Sequence, residues 1–369
     1  MKKLPLAILA VVLLTAGCRK PETNTNLTSD IPPVSTQGGT ATEENVLRDF
    51  ADVLVNPNYR ELQANALLLQ QAVATLSASP TDAGLAAAQN AWRLTRAPWE
   101  NCEAYLFGPV EDQSYDPTMD TWPLDRTQLD SLLASSNNLT LTDINALPDA
   151  LKGFHAVEYT LFGVGGQQRA DSLSAREMAY MTSLTQSIVN TTTTLRNSWD
   201  TTQPNNYTAE VKKAGNGSTA FPTRKAAFLA VVAAMADICD EVGTGKMETP
   251  LGQNGQADST LDESSFSHNS TTDFTNNIKG IKNVYFCTYN GVTGHSLHEL
   301  VAASNKSLDN QISNAIYDAV GSFNTINSNY EVAIYTQRTQ IMAIQAKLAT
   351  LQSLLENDLD NWVIQNIHD

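Results

Sequence analysis

His155 and Glu158 stand three residues apart in the segment Gly153-Phe154-His155-Ala156-Val157-Glu158-Tyr159. In a helix that spacing places an imidazole and a carboxylate on one face. The two also interrupt an otherwise apolar stripe, Leu151, His155, Glu158, Phe162, at steps of four, three and four. Groups in such a stripe are turned away from water, and their burial is costly unless they are paired, hydrogen-bonded or metal-bound. A divalent or trivalent cation satisfies both, and imidazole with carboxylate suits iron or zinc. A His–Glu hydrogen bond inside a bundle satisfies them too, so the pair alone does not decide.

Two ligands do not complete a site. Glu103, in Trp99-Glu100-Asn101-Cys102-Glu103-Ala104-Tyr105, lies next to the apolar position Cys102 and is placed to face the interior edge of a bundle. Glu100 shares its face, and a solvated acidic patch is the plain competing reading of that pair. From the second half of the chain, His268 and Asp273 are further candidates. They sit at the start of a helix in Ser267-His268-Asn269 and beyond, where capping and turn roles compete. His295 and His298 follow Gly294, and the expectation for them is an exposed helix start; His368 is at the tail.

The elements that must carry these residues are helices. Leu62, Ala66, Leu69, Val73 and Leu76 alternate steps of four and three, as do Leu85, Ala88, Trp92, Thr95, Trp99, Cys102 and Leu106. The same beat returns at Met181–Leu195, at Phe228–Val242 and at Ile341–Leu355. Stripes of this period turn one face of each helix to a shared core, and strand-like alternation is nearly absent. The fold class expected is all-α, as two four-helix-bundle-like domains packed together, at 41–205 and 219–369, with 206–218 as linker. Asn56-Pro57, Ser79-Pro80 and Leu147-Pro148 read as breaks, with Thr81 or Asp82 as a helix cap. The long polar stretch from Gly243 to Ser265 is of a length that is usually functional or disordered.

The N-terminus bounds where the protein works. Lys2 and Lys3, an uncharged run from Leu4 to Ala16, and Gly17-Cys18 have the layout of a signal peptide over residues 1–17. Leu13-Leu14-Thr15-Ala16-Gly17-Cys18 resembles a bacterial lipoprotein box, in which Cys18 is lipidated. Residues 18–40, rich in Pro, Thr, Asn and Gly, then form a tether. A net charge of −16 is wrong for nucleic acid or anionic headgroups. Cys102, Cys239 and Cys287 remain after Cys18, with no metal-knuckle spacing, and buried thiols are the simplest reading.

Taken together these segments resemble the imelysin family of exported bacterial proteins. Gly153, His155 and Glu158 match its Gly-x-His-x-x-Glu motif. The stretch from Ala91 to Asp125 (AWRLTRAPWENCEAYLFGPVEDQSYDPTMDTWPLD) is similar to the family's region around Phe-Gly-Pro and Trp-Pro. The stretch from Glu263 to Tyr285 (ESSFSHNSTTDFTNNIKGIKNVY) is similar to a third region, so both halves are covered in the family's order. The resemblance implies two helical bundles with a pocket near their interface, and a role in iron homeostasis. It implies Gly153, His155 and Glu158 as site residues, with Glu103 as the acidic residue before Phe-Gly-Pro.

The function expected is a lipid-anchored cell-envelope protein, periplasmic or surface-facing, that binds iron, another divalent metal or a metal chelate. His155, Glu158 and Glu103 would be the ligands, with Gly153, His268 and Asp273 completing the pocket. The membrane, reached through the anchor, and envelope proteins of iron uptake are its expected partners. The alternative is a zinc-dependent metallopeptidase. That chemistry usually takes a second histidine beside the glutamate, as in His-Glu-x-x-His or His-x-x-Glu-His, whereas Ala156 follows His155 and Tyr159 follows Glu158. A carrier or adhesin in which the pair is purely structural is the third reading.

Overall fold

The structure, a computed structural model, describes residues 40–368; residues 1–17, expected to be a signal peptide, and Cys18 lie outside them. Ten helices position everything that follows. They are α1 (Asn56–Ala78), α2 (Asp82–Cys102), α3 (Tyr115–Asp120), α4 (Gly153–Phe162) and α5 (Ala175–Trp199). Then come α6 (Tyr207–Lys212), α7 (Arg224–Asp240), α8 (Ser270–Phe286), α9 (Lys306–Ser322) and α10 (Arg338–Ser353). The fold is all-α, with one antiparallel pair of two-residue strands, Thr288–Tyr289 and Val292–Thr293. No helix among the described residues is long and apolar enough to cross a membrane.

The apolar stripes bury the faces they define. Leu62, Ala66, Leu69, Val73 and Leu76 of α1 are fully buried, and so are Trp92, Trp99 and Cys102 of α2. Helix α1 packs on α2 and α5, and α4 lies against both α2 and α5, closing a ring of four helices. In the second half α7 packs on α8 and α10, and α9 packs on the same two. Helix starts follow the chemistry of free backbone N–H groups: Thr81 accepts from Gly84, and Ser174 with Glu177 forms a capping box.

Helices α2 and α8 run against each other where the two sets meet. Gly280 makes that approach feasible. A Cβ there would stand 2.3 Å from the carbonyl oxygen of Asn101 and 2.9 Å from the Cβ of Ala104.

Several segments differ from their sequence reading. The stretch 206–218 carries α6, with Thr208 and Val211 buried. The Glu210 carboxylate accepts hydrogen bonds from Ser218 Oγ and from the backbone of Thr219 and Ala220, which packs this connection down. The polar stretch from Gly243 is ordered as a π-helical turn (Glu241–Lys246), a short helix (Glu248–Leu251) and 3-10 turns. His295 and His298 are buried rather than exposed. The His295 backbone donates to Asp49, and the His298 ring meets Asp309, so carboxylates distant in sequence take up both. Cys102, Cys239 and Cys287 are free and buried.

Replacing Gly280 by Ala should push α2 and α8 apart and cost about 1–3 kcal/mol of stability, the usual range for overpacking. Urea unfolding of Gly280→Ala checks this; an unchanged midpoint would show that the helices can part freely.

Candidate functional site

Arg96, Glu100 and Glu103 follow one another on α2 at steps of four and three, one position round from the apolar stripe. Their face therefore looks along the edge of the core, towards α8. The Arg96 guanidinium is fully buried and bonded to Glu100 and to Asp120 at the end of α3. It also lies 3.4 Å from Glu263 and 3.8 Å from Asp273. On α8, Asn277 Nδ2 donates to Glu100 Oε2 at 2.7 Å and to Glu103.

Helix α4 brings His155 and Glu158 to the same place. Its first residue, Gly153, has φ +81°, and a Cβ there would stand 2.2 Å from the carbonyl oxygen of Met119. Only glycine tolerates both that conformation and that approach. Gly153 thus sets α4 against the end of α3, the residue next to Asp120. The His155 ring is fully buried, with Nδ1 3.2 Å from Glu158 Oε2 and Nε2 3.1 Å from Asp120 Oδ1. The other Glu158 oxygen accepts from the backbone N–H and hydroxyl of Ser267, at 2.8 and 2.7 Å. Asp120 Oδ2 accepts from the Trp99 indole at 2.6 Å.

The charges set one another's protonation. Burial pulls the His155 imidazole down, yet its bonds to Asp120 and Glu158 raise it to about 9, so it is an imidazolium at neutral pH. Burial opposes ionisation of Asp120, but Arg96 and His155 hold it well below the usual carboxylate range. Glu103 is pushed well up by burial and by the Glu100 carboxylate beside it. Burial also raises Glu263 and Asp273. At the rim, burial with Asp120 and Glu241 nearby takes Asp116 up to about 7. Carboxylates outnumber the cations available to them.

A cavity of about 340 Å³ opens onto this cluster, lined by Glu103, Asp116, Asp120, Trp122, Lys246 and Glu263 among others. The Trp122 ring packs on His155, centroids 4.9 Å apart, and Asp120, which contacts the imidazole, lines the cavity. Two sets of groups have ligand atoms close enough to share one metal ion: Asp120, His155 and Glu263, and Glu100, Glu103 and Asp120. The buried Glu263 Oε2 and Asn277 Oδ1 accept no hydrogen bond. Hard oxygen donors with one imidazole fit iron, manganese or zinc. The Glu158 carboxylate on Nδ1 fixes the ring so that Nε2 faces the acids, the arrangement that supports a metal-bound histidine once Nε2 loses its proton.

Of the residues singled out from sequence, His155, Glu158 and Glu103 come together here. Asp273 stands behind them, accepting from Ser264 and Asn269 at 2.7 Å each and facing Arg96. His268 points elsewhere, to Glu331, and is exposed; its loop delivers Ser267 instead. Arg96, Asp120, Lys246 and Glu263 were not singled out. Arg96 was marked by its place in register with Glu100 and Glu103, and Asp120 and Glu263 by lying inside the quoted segments. Lys246 had only the signal of the long polar stretch from Gly243 to Ser265 in which it lies.

The profile of the family described as imelysin matches residues 55–355. Iron-regulated protein A of Synechococcus elongatus is 32% identical over 312 residues, covering 82% of this chain and 83% of that protein. The crystal structure of an iron-regulated protein A precursor from Parabacteroides distasonis superposes with a TM-score of 0.78 at 25% identity, over 94% of this chain and 100% of that one. An imelysin-like protein from Psychrobacter arcticum superposes with a TM-score of 0.70 at 14% identity, over 87% of this chain and 97% of that one, which shows a shared fold.

An imidazolium whose folded value is about 9, against an ordinary 6.5, contributes stability that is full below 6.5 and is lost as pH rises through 9. The stability difference between the protein and His155→Gln should therefore shrink between about pH 6.5 and 9. Chemical unfolding at several pH values measures it; a constant difference would show that the ring carries no charge in the folded state.

Proposed function

The chain belongs to the imelysin family, and from that premise we propose that it is an exported, cell-envelope protein that binds a metal ion, iron foremost, in iron uptake or homeostasis. The observation that carries this reading is the meeting of Asp120, Glu263 and Glu103 at one cavity, with His155 Nε2 behind Asp120 and carboxylates in excess. Metal would be cargo, held by these oxygens. The imidazole would serve as a nitrogen donor that releases its Nε2 proton to solvent when metal binds, with Glu158 and Ser267 as its positioning partners. The relatives called iron-regulated protein A support iron as the cargo. The lipoprotein-type N-terminus supports an anchor at Cys18, which would hold the pocket near the membrane and near envelope proteins of iron uptake.

Zinc peptidase chemistry draws no support from this arrangement. A glutamate that activates a metal-bound water must turn an oxygen to that water, whereas the Glu158 oxygens are turned to His155 and to Ser267.

Metal-stripped protein should melt higher when ferrous, ferric or zinc ion is added, with about 2.7 kcal/mol gained at a hundredfold excess over Kd. Asp120→Asn and Glu263→Gln should lose most of that gain. The same titration on all three proteins decides it: no shift with any ion, or equal shifts in the variants, would remove metal from this cavity.

A further inference from the structure

The cluster already contains a competitor for a metal ion. Lys246 Nζ stands 3.0 Å from Glu103 Oε2 and 3.0 Å from Glu263 Oε1, with Glu100 and Glu241 each at 3.6 Å. An ammonium group there sits among four carboxylates, three of which, Glu100, Glu103 and Glu263, belong to the two sets that could share a metal ion. The arginine and the lysine of the cluster are held very differently. Arg96 projects from the middle of α2, has no exposed side-chain surface, and is clasped by Asp120 and Glu100. Lys246 lines the cavity and ends a π-helical turn, Glu241–Lys246, that contains Gly243 and Gly245. Such turns are local departures from α-helical hydrogen bonding that recur at functional sites, and neither glycine carries a side chain to lock the segment.

We propose that Lys246 is a resident counter-ion, exchanged for the cargo: an incoming metal cation displaces its ammonium from Glu103 and Glu263, and the ammonium returns when the metal leaves. The proposal rests on the metal-binding reading above and specifies its cargo. Carboxylates from α2, α3 and the Asp262–Ser264 segment already exceed the cations that face them, and Glu263 Oε2 accepts no hydrogen bond although buried. A cationic species, the hydrated metal ion, gains from that excess. An anionic chelate such as ferric citrate would place its carboxylates against Glu103, Asp116, Asp120 and Glu241, where like charges repel. Exchange of one cation for another also keeps the buried carboxylates from being left unpaired, the costliest state open to them.

The test compares the full-length metal-stripped protein with Lys246→Met and Lys246→Arg, titrated with ferrous ion without oxygen, with zinc ion and with ferric citrate. Lys246→Met should bind the free ions at least about tenfold tighter, since a close competing charge is gone; Lys246→Arg should bind no tighter than the parent, and ferric citrate should bind none of them well. In the unaltered protein, reductive methylation of Lys246, read by mass spectrometry, should rise when metal saturates the site. That labelling serves alone if Lys246→Met fails to fold. Equal or weaker ion binding by a folded Lys246→Met, tight Lys246-dependent binding of ferric citrate, or labelling indifferent to metal would overturn the exchange while leaving metal binding standing. Absence of ion binding by both parent and Lys246→Met would end both.

Discussion

The charge of Arg96 is taken wholly out of water, and four separate stretches of chain are arranged to answer it. Glu100 comes from its own helix, Asp120 from the end of α3, Glu263 from the segment before α8, and Asp273 from α8 itself. The Phe154 ring, 5.3 Å from the guanidinium, adds a contact from α4. A buried ion network of this kind is weak evidence for stability, because apolar side chains of the same shape can serve as well. What it supplies is position. An arginine that cannot lose its proton pins the acids that would otherwise repel one another, and two of those acids, Asp120 and Glu263, line the cavity.

The second constraint is closeness of backbone. Gly153 lets α4 touch the end of α3, and Gly280 lets α8 lie on α2. The first places an imidazole against Asp120; the second places Asn277 against Glu100 and Glu103. The glycine of the Gly-x-His-x-x-Glu motif is thus a structural requirement of the histidine's placement. Ser267 completes the arrangement by fixing Glu158, so the helix and the loop that precedes α8 are joined through a single carboxylate.

The helical architecture was legible because its signal is periodic: Leu62 to Leu76 and Ile341 to Leu355 are buried as their spacing requires. His155 and Glu158 were legible for the related reason that polar groups stood inside an apolar stripe. Glu103 was half legible, since its neighbour Glu100 made a solvated patch equally plausible from spacing. The rest depended on tertiary contacts that no local pattern encodes. His295 and His298 follow a glycine turn and read as exposed, but Asp49 and Asp309 come from elsewhere to bury them. Lys246 is surrounded by turn-forming residues, and only the folded chain shows four carboxylates around it.

The three described cysteines bear on how this molecule meets oxidants. Each thiol is buried, and burial pushes all three well above the usual thiol range, so the reactive thiolate is scarce at neutral pH. None is joined to another, and the core is closed by side-chain packing alone. The described fold therefore needs no thiol oxidation to form and no reductant to persist. Cys102, next in sequence to Glu103, therefore brings no ready thiolate to the edge of the acidic cluster, where it would otherwise be open to oxidation.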